Sequence, residues 1–250
     1  MENNSTSTIS AAWPTRWPNG SFRALPTLAL VGIIIVVAVV VLTAAAVALR
    51  ATIVATQHVP LVPAIVSQLV LEVLIVVAIL IAMPRVSGFS LRELGFRRIT
   101  LGQIGIALLG AILMIAVVEG GASLVEALTH TKHEQSVVEM FRAIHNPATS
   151  ALFVVFATVL APVAEETIFR VFLFNLGLRY GGFPLGALVS GVLFGLAHGD
   201  AFVFVPLALG GAILCGVYYY SRNAYASMIT HACFNTVTVL ALLFAPKLAS

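Results

Sequence analysis

Charge is what this sequence has least of. Among 250 residues there are 10 Asp or Glu and 13 Lys or Arg, while 60% are apolar. A soluble domain carries about a quarter of its residues as charged side chains. At 9% this chain cannot coat a 26.4 kDa globule, which disfavours a soluble enzyme and a disordered chain alike. The net charge of +3 comes with no basic stripe to follow phosphates, so no nucleic-acid partner is expected. Cysteine is scarce too. Cys215 and Cys233 both lie in apolar stretches, too few for a disulfide framework. A mean hydropathy of +1.06 points to an integral membrane protein.

The few charges leave neutral windows at 24–49, 51–71, 99–118, 143–164, 180–199, 201–221 and 223–246. A helix needs about 20 mostly apolar residues to cross the hydrocarbon core, and in lipid the backbone must satisfy its own hydrogen bonds. The expected fold is all-α: a polytopic membrane helical bundle of about seven transmembrane helices. Their spans fall near 26–49, 61–83, 101–118, 149–177, 184–198, 203–220 and 225–245. Residues 1–25, with Pro14 and Pro18, read as a polar tail. The apolar run after them is about twice as long as a secretory signal's apolar region. Residues 26–130 form N-terminal membrane helices with their connections, and 131–250 form the functional core.

Arg85, Arg92, Arg97 and Arg98 form the densest basic cluster. Placing them in the cytoplasm brings Arg16, Arg23, Arg179 and Arg222 to that side, against Arg50, Lys132, Arg142 and Lys247 on the other. This bias predicts a cytoplasmic N-terminus. The connection 119–148 is the long extramembrane segment, expected to hold a short amphipathic helix.

Against this background, Glu165-Glu166-Thr-Ile-Phe-Arg170 is conspicuous. A charge at the bilayer centre costs about 2.5–3.5 kcal/mol on insertion scales. Glu166 and Arg170, four apart, share a helix face and can pair. Glu165 lies about 100° round the helix and has no local partner. Two further pairs, Phe194 with His198 and His231 with Asn235, also have i, i+4 spacing. At 1.5 Å per residue, Glu165, His198 and Asn235 lie roughly 20, 22 and 16 Å from the cytoplasmic helix ends, and His231 roughly 10 Å. The set can therefore meet in one polar cavity within the membrane.

Such groups make the inventory of a hydrolase. A carboxylate beside a His can hold and deprotonate a water. A second His and an Asn amide can donate to the oxyanion formed when that water attacks a carbonyl. The sequence contains no Gly-x-Ser-x-Gly and no His-Glu-x-x-His. Two His and a Glu could equally ligate zinc and leave a position for water.

At these residues the chain resembles the CPBP family of intramembrane proteases, which includes the CAAX prenyl endopeptidases and bacteriocin-processing and immunity proteins. The family pattern is Glu-Glu-x-x-x-Arg, Phe-x-x-x-His and His-x-x-x-Asn or Asp on successive helices. Here it reads Glu165-Glu166-Thr-Ile-Phe-Arg170, Phe194-Gly-Leu-Ala-His198 and His231-Ala-Cys-Phe-Asn235. The similarity covers about 135–245, and the stretch at 92–98 is similar as well. It implies an intramembrane endopeptidase acting on a lipidated or membrane-associated protein or peptide. In that reading Glu165 activates water with His198, and His231 and Asn235 steady the oxyanion. Glu166 and Arg170 orient the set, and Phe194 packs beside it. The family's metalloprotease label leaves room for a divalent metal such as zinc on Glu165, His198 and His231, although glutamate-activated water needs none. A multi-pass protein of a bacterial plasma membrane follows from the same resemblance.

A rival reading is a non-catalytic immunity or chaperone-type protein that uses the same cavity for binding. A transporter with a carboxylate relay is disfavoured by the lack of internal repeats. His130, His133 and Glu134 are unevenly spaced and are not assigned to a metal. Glu72 has no nameable partner and is expected to make an interhelical hydrogen bond. Trp13, Trp17, Tyr218, Tyr219, Tyr220 and Tyr225 read as interfacial anchors.

Overall fold

The computed structural model describes residues 61–131, 138, 141, 142 and 144–248, and all regular structure among them is helical. The elements are α1 (Leu61–Ser87), α2 (Leu101–Thr129), α3 (Pro147–Val155), α4 (Ala161–Glu166), α5 (Asn175–Ala197), α6 (Phe204–Ser221) and α7 (Ala224–Leu248). Two π-helical segments, Phe156–Leu160 and Thr167–Phe174, join α3 to α4 and α4 to α5. The expected span 26–49, the tail before it, and Arg16, Arg23, Arg50, Lys132, His133 and Glu134 lie outside the described residues.

Among the described residues, five helical stretches are long and apolar enough to cross a membrane: Gln68–Arg85, Leu101–Thr129, Pro147–Ala197, Phe204–Ser221 and Ala224–Phe244. The protein is a helical membrane bundle. The third stretch does not run straight. Gly181 and Gly182 leave helical geometry, and Gly182 takes φ +67°, a left-handed conformation that Gly adopts without a Cβ penalty. Gly177 and Gly186 then touch backbone to backbone, although nine residues of straight helix would hold them about 13 Å apart. The sequence windows 149–177 and 184–198 are thus the two arms of a helical hairpin.

α2 is longer than the window 101–118. It starts on a capping box in which the Thr100 hydroxyl accepts from the Gln103 N–H and the Gln103 side chain accepts from the Thr100 N–H. It ends at His130, φ +52°. Glu119 and Glu126 close the apolar window without closing the helix, because Glu is a good helix former. The expected 119–148 connection therefore begins as helix.

α6 is central, packed on α5, α2 and α7, while α1 lies against α4 and the second π segment. Small residues permit the tightest crossing. A Cβ on Gly211 of α6 would stand 2.9 Å from the Gly191 Cα and 3.2 Å from the Phe194 Cβ. The 88–100 connection is stapled to the α6–α7 turn. Ala224 N–H donates to the Gly95 carbonyl (3.0 Å), Tyr218 hydroxyl to the Leu94 carbonyl (2.8 Å), and Gln103 Nε2 to the Ser221 carbonyl (2.7 Å). Asn223 Nδ2 is shared among Arg97 O, Arg98 O and Gln103 Oε1. Tyr218 is fully buried in this network and is not an interfacial anchor, whereas Tyr220 and Tyr225 are exposed. Outside the membrane, Ser90 donates from both its N–H and its hydroxyl to Glu93, holding that carboxyl below its ordinary range.

Replacing Asn223 with Ala strands those carbonyls. Stability should fall by about 1–3 kcal/mol, read as a lowered thermal midpoint in detergent.

Candidate active site

The Glu-Glu-x-x-x-Arg segment lies where the helix is least regular. At the end of the first π segment the main-chain bond reaches back five residues, from Ala161 N–H to the Phe156 carbonyl. Pro162 comes next and has no N–H, so the carbonyl of Ala157 lacks a main-chain donor. Asn235 Nδ2 from α7 supplies one at 2.7 Å. In the second π segment the carbonyls are again met by side chains. Ser190 Oγ donates to Phe169 O (2.8 Å), and Asn175 Nδ2 to Val171 O (2.8 Å). All eight residues of that segment are buried. Such π turns shift the phase of the side chains that follow them and recur at functional sites.

Phase decides what each acid meets. Glu166 points inward, fully buried, with Oε1 3.0 Å from Arg170 Nη1 and 3.1 Å from His231 Nδ1. Arg170, equally buried, also donates from Nη2 to the Gly211 carbonyl (3.1 Å), and its Cζ lies 4.5 Å from the Phe194 ring centroid. Because a buried carboxylate accepts at His231 Nδ1, that nitrogen carries the hydrogen. Phe194 is the hub of the aromatic packing, 5.5 Å from the His231 ring, 4.7 Å from His198 and 5.3 Å from Phe169.

Glu165 is the less buried acid, its side chain 22% exposed, with Oε2 3.8 Å from His231 Nε2. That is ion-pair distance and too long for a hydrogen bond, so Oε2 has no hydrogen-bond partner. His198, at the end of α5, directs Nδ1 to the Phe194 carbonyl (2.8 Å). A carbonyl can only accept, which leaves the lone pair on Nε2. The imidazole beside Glu165 is therefore that of His231, whose Nδ1 faces Glu166, and His198 joins the cluster through Phe194.

The sequence candidates Glu165, Glu166, Arg170, Phe194 and His231 are tied into one network with His198 at its edge, while Asn235 bonds the Ala157 carbonyl on the helical stretch that carries the two acids. Glu72 on α1, expected to bond between helices, accepts instead from Gln68 Nε2 of its own helix at 3.0 Å; it is buried and lies within electrostatic range of Glu165. Its signal was spacing: 72, 79 and 83 form the buried stripe of α1 with Ile75 packed beside them.

Among the described residues no three His, Cys, Asp or Glu gather to hold an ion. The Nδ1 bonds of His231 and His198 leave Nε2 on each ring as the atom that could ligate, but as placed Glu165, His198 and His231 do not come together as three ligands.

Changing Pro162 to Ala restores an N–H that competes for the Ala157 carbonyl and releases Asn235. Activity should fall by up to about 10²-fold, the scale of a small misplacement, without loss of thermal stability.

The fold and this cluster define a class: a helical membrane protein with a buried Glu–Arg–His network beside an unpartnered carboxylate. Residues 147–237 match the family described as type II CAAX prenyl endopeptidase Rce1-like. Over 103 residues the chain is 30% identical to the membrane-embedded CAAX protease MroQ of Staphylococcus aureus, covering 38% of this chain and 41% of that protein. Over 110 residues it is 22% identical to YdiL of Bacillus subtilis, named as a membrane peptidase, covering 44% of this chain and 43% of that protein. The chain spans about two fifths of the length of these curated relatives. No solved structure matches it. Residues 147–237, which hold all three motifs, carry the similarity to the Rce1-like family.

Proposed function

We propose that this protein is an intramembrane endopeptidase hydrolysing a peptide bond of a lipidated or membrane-embedded protein or peptide. The observation that carries the reading is Glu165 Oε2 beside His231, on a partly exposed side chain and without a hydrogen-bond partner among the described residues. Glu165 takes a proton from the attacking water. The free Nε2 lone pair of His198 is a second acceptor for that water. Asn235 spends one amide hydrogen on Ala157 and keeps the other for the oxyanion. His231 can assist when it also carries hydrogen on Nε2. Glu166 and Arg170 hold His231 and Phe194 in position. The N-terminus lies on the cytoplasmic side in this reading.

The test is cleavage of a panel of lipidated peptides in proteoliposomes, with and without chelator. Cleavage that persists in chelator is the expected result. Loss in chelator with return on added zinc would replace carboxylate-activated water by metal-activated water. A biological effect that survives Glu165→Gln would favour a binding role over catalysis.

A further inference from the structure

Glu72 occupies a position that the reaction as described leaves unused. It lies on the bundle-facing stripe of α1, with Ile79 and Met83 about two and three turns further on, and is only 6% exposed. Gln68, one turn earlier, donates to its Oε1 and fixes the carboxylate. Its Oε2 is buried with no hydrogen-bond partner, as is Oε2 of Glu165, with which it interacts electrostatically. Arg170 Nη1 and His231 Nδ1 both face Glu166 and not Glu72. A buried and a partly buried carboxylate then lie within electrostatic range of each other, each with an unmet oxygen among the described residues. An unmet buried acceptor costs about 1–3 kcal/mol. What completes such a site is a group rich in hydrogens on nitrogen.

We propose that Glu72 is the binding residue for the nitrogen on the leaving side of the scissile bond, first as an amide N–H and then as the ammonium it becomes. The identity of this ligand rests on the endopeptidase reading. In hydrolysis the water oxygen bonds the carbonyl carbon and the C–N bond breaks. One water proton passes through Glu165 to the departing nitrogen. The new carboxylic acid gives up its own proton, so the products are a carboxylate and an ammonium. Glu72 and Glu165 hold that ammonium between them.

The experiment measures equilibrium binding to the intact protein in detergent, with no turnover required. The probes are the tripeptide Ala-Leu-Val with a free α-amino group and its N-acetyl form. The wild type should bind the free amine roughly tenfold more tightly, the factor a charge-assisted hydrogen bond supplies. Glu72→Gln should erase this preference, and Gln68→Leu should reduce it by releasing the carboxylate. Gln68→Leu also covers the case in which Glu72→Gln fails to fold. A wild type that does not discriminate between the two probes overturns the proposal, whether it binds both or neither. A preference unchanged in both variants does the same. A chain that cuts no peptide yet prefers the amine loses the endopeptidase reading and keeps the carboxylate site. A chain that cuts but shows no preference does the reverse.

Discussion

Glu165→Gln is expected to lower cleavage by about 10²–10⁴-fold, the contribution of a positioned general base, while the protein inserts and unfolds as the wild type does. The amide is nearly isosteric but cannot take a proton. Glu165 Oε2 has no hydrogen-bond partner in the resting protein, and its side chain is partly exposed. Little folded-state interaction is therefore lost. Turnover in proteoliposomes and the thermal midpoint in detergent, measured on one preparation, check both halves. A variant that cuts as fast as the wild type would remove Glu165 from the base role.

Its neighbours should behave in the opposite way. Arg170→Met leaves Glu166 as a fully buried carboxylate with only His231 to meet it, strands the Gly211 carbonyl, and removes the cation from the Phe194 face. Breaking a buried pair from one side costs about 3–5 kcal/mol, so the midpoint should drop by roughly 10 °C. Activity should fall in parallel because His231 loses its alignment. Adding Glu166→Gln to Arg170→Met should recover part of the loss, since the unpaired charge is then gone as well. A double-mutant cycle measures that coupling. Additive losses would mean that the two side chains do not act as a pair.

Adjacent acids in one motif thus divide the work, and the division was only half legible in the sequence. Spacing alone paired Glu166 with Arg170 and left Glu165 over, because i, i+4 geometry is a local property of any helix. It also brought the Phe194–His198 and His231–Asn235 pairs to matching depths. Helical phase escaped it. The π segments at Phe156–Leu160 and Thr167–Phe174 carry no periodic signature. They turn the acids so that Glu165 meets His231, while His198 bonds its own helix. Glu72 was set aside because its neighbour belongs to a helix some ninety residues away. Tyr218 departs from the anchor reading because hydropathy ranks a tyrosine by type and is blind to the Leu94 carbonyl that accepts from its hydroxyl and the Asn175 amide that donates to it.

The carbonyl of Ala157 is open to α7 only while residue 162 is an imino acid, and Asn235 is useful there only while that carbonyl is open. The two positions, 73 apart in the chain, form one heritable unit. A substitution at either alone passes through an intermediate that is worse than both ends. Descendants of this sequence should therefore keep proline and asparagine together or lose them together.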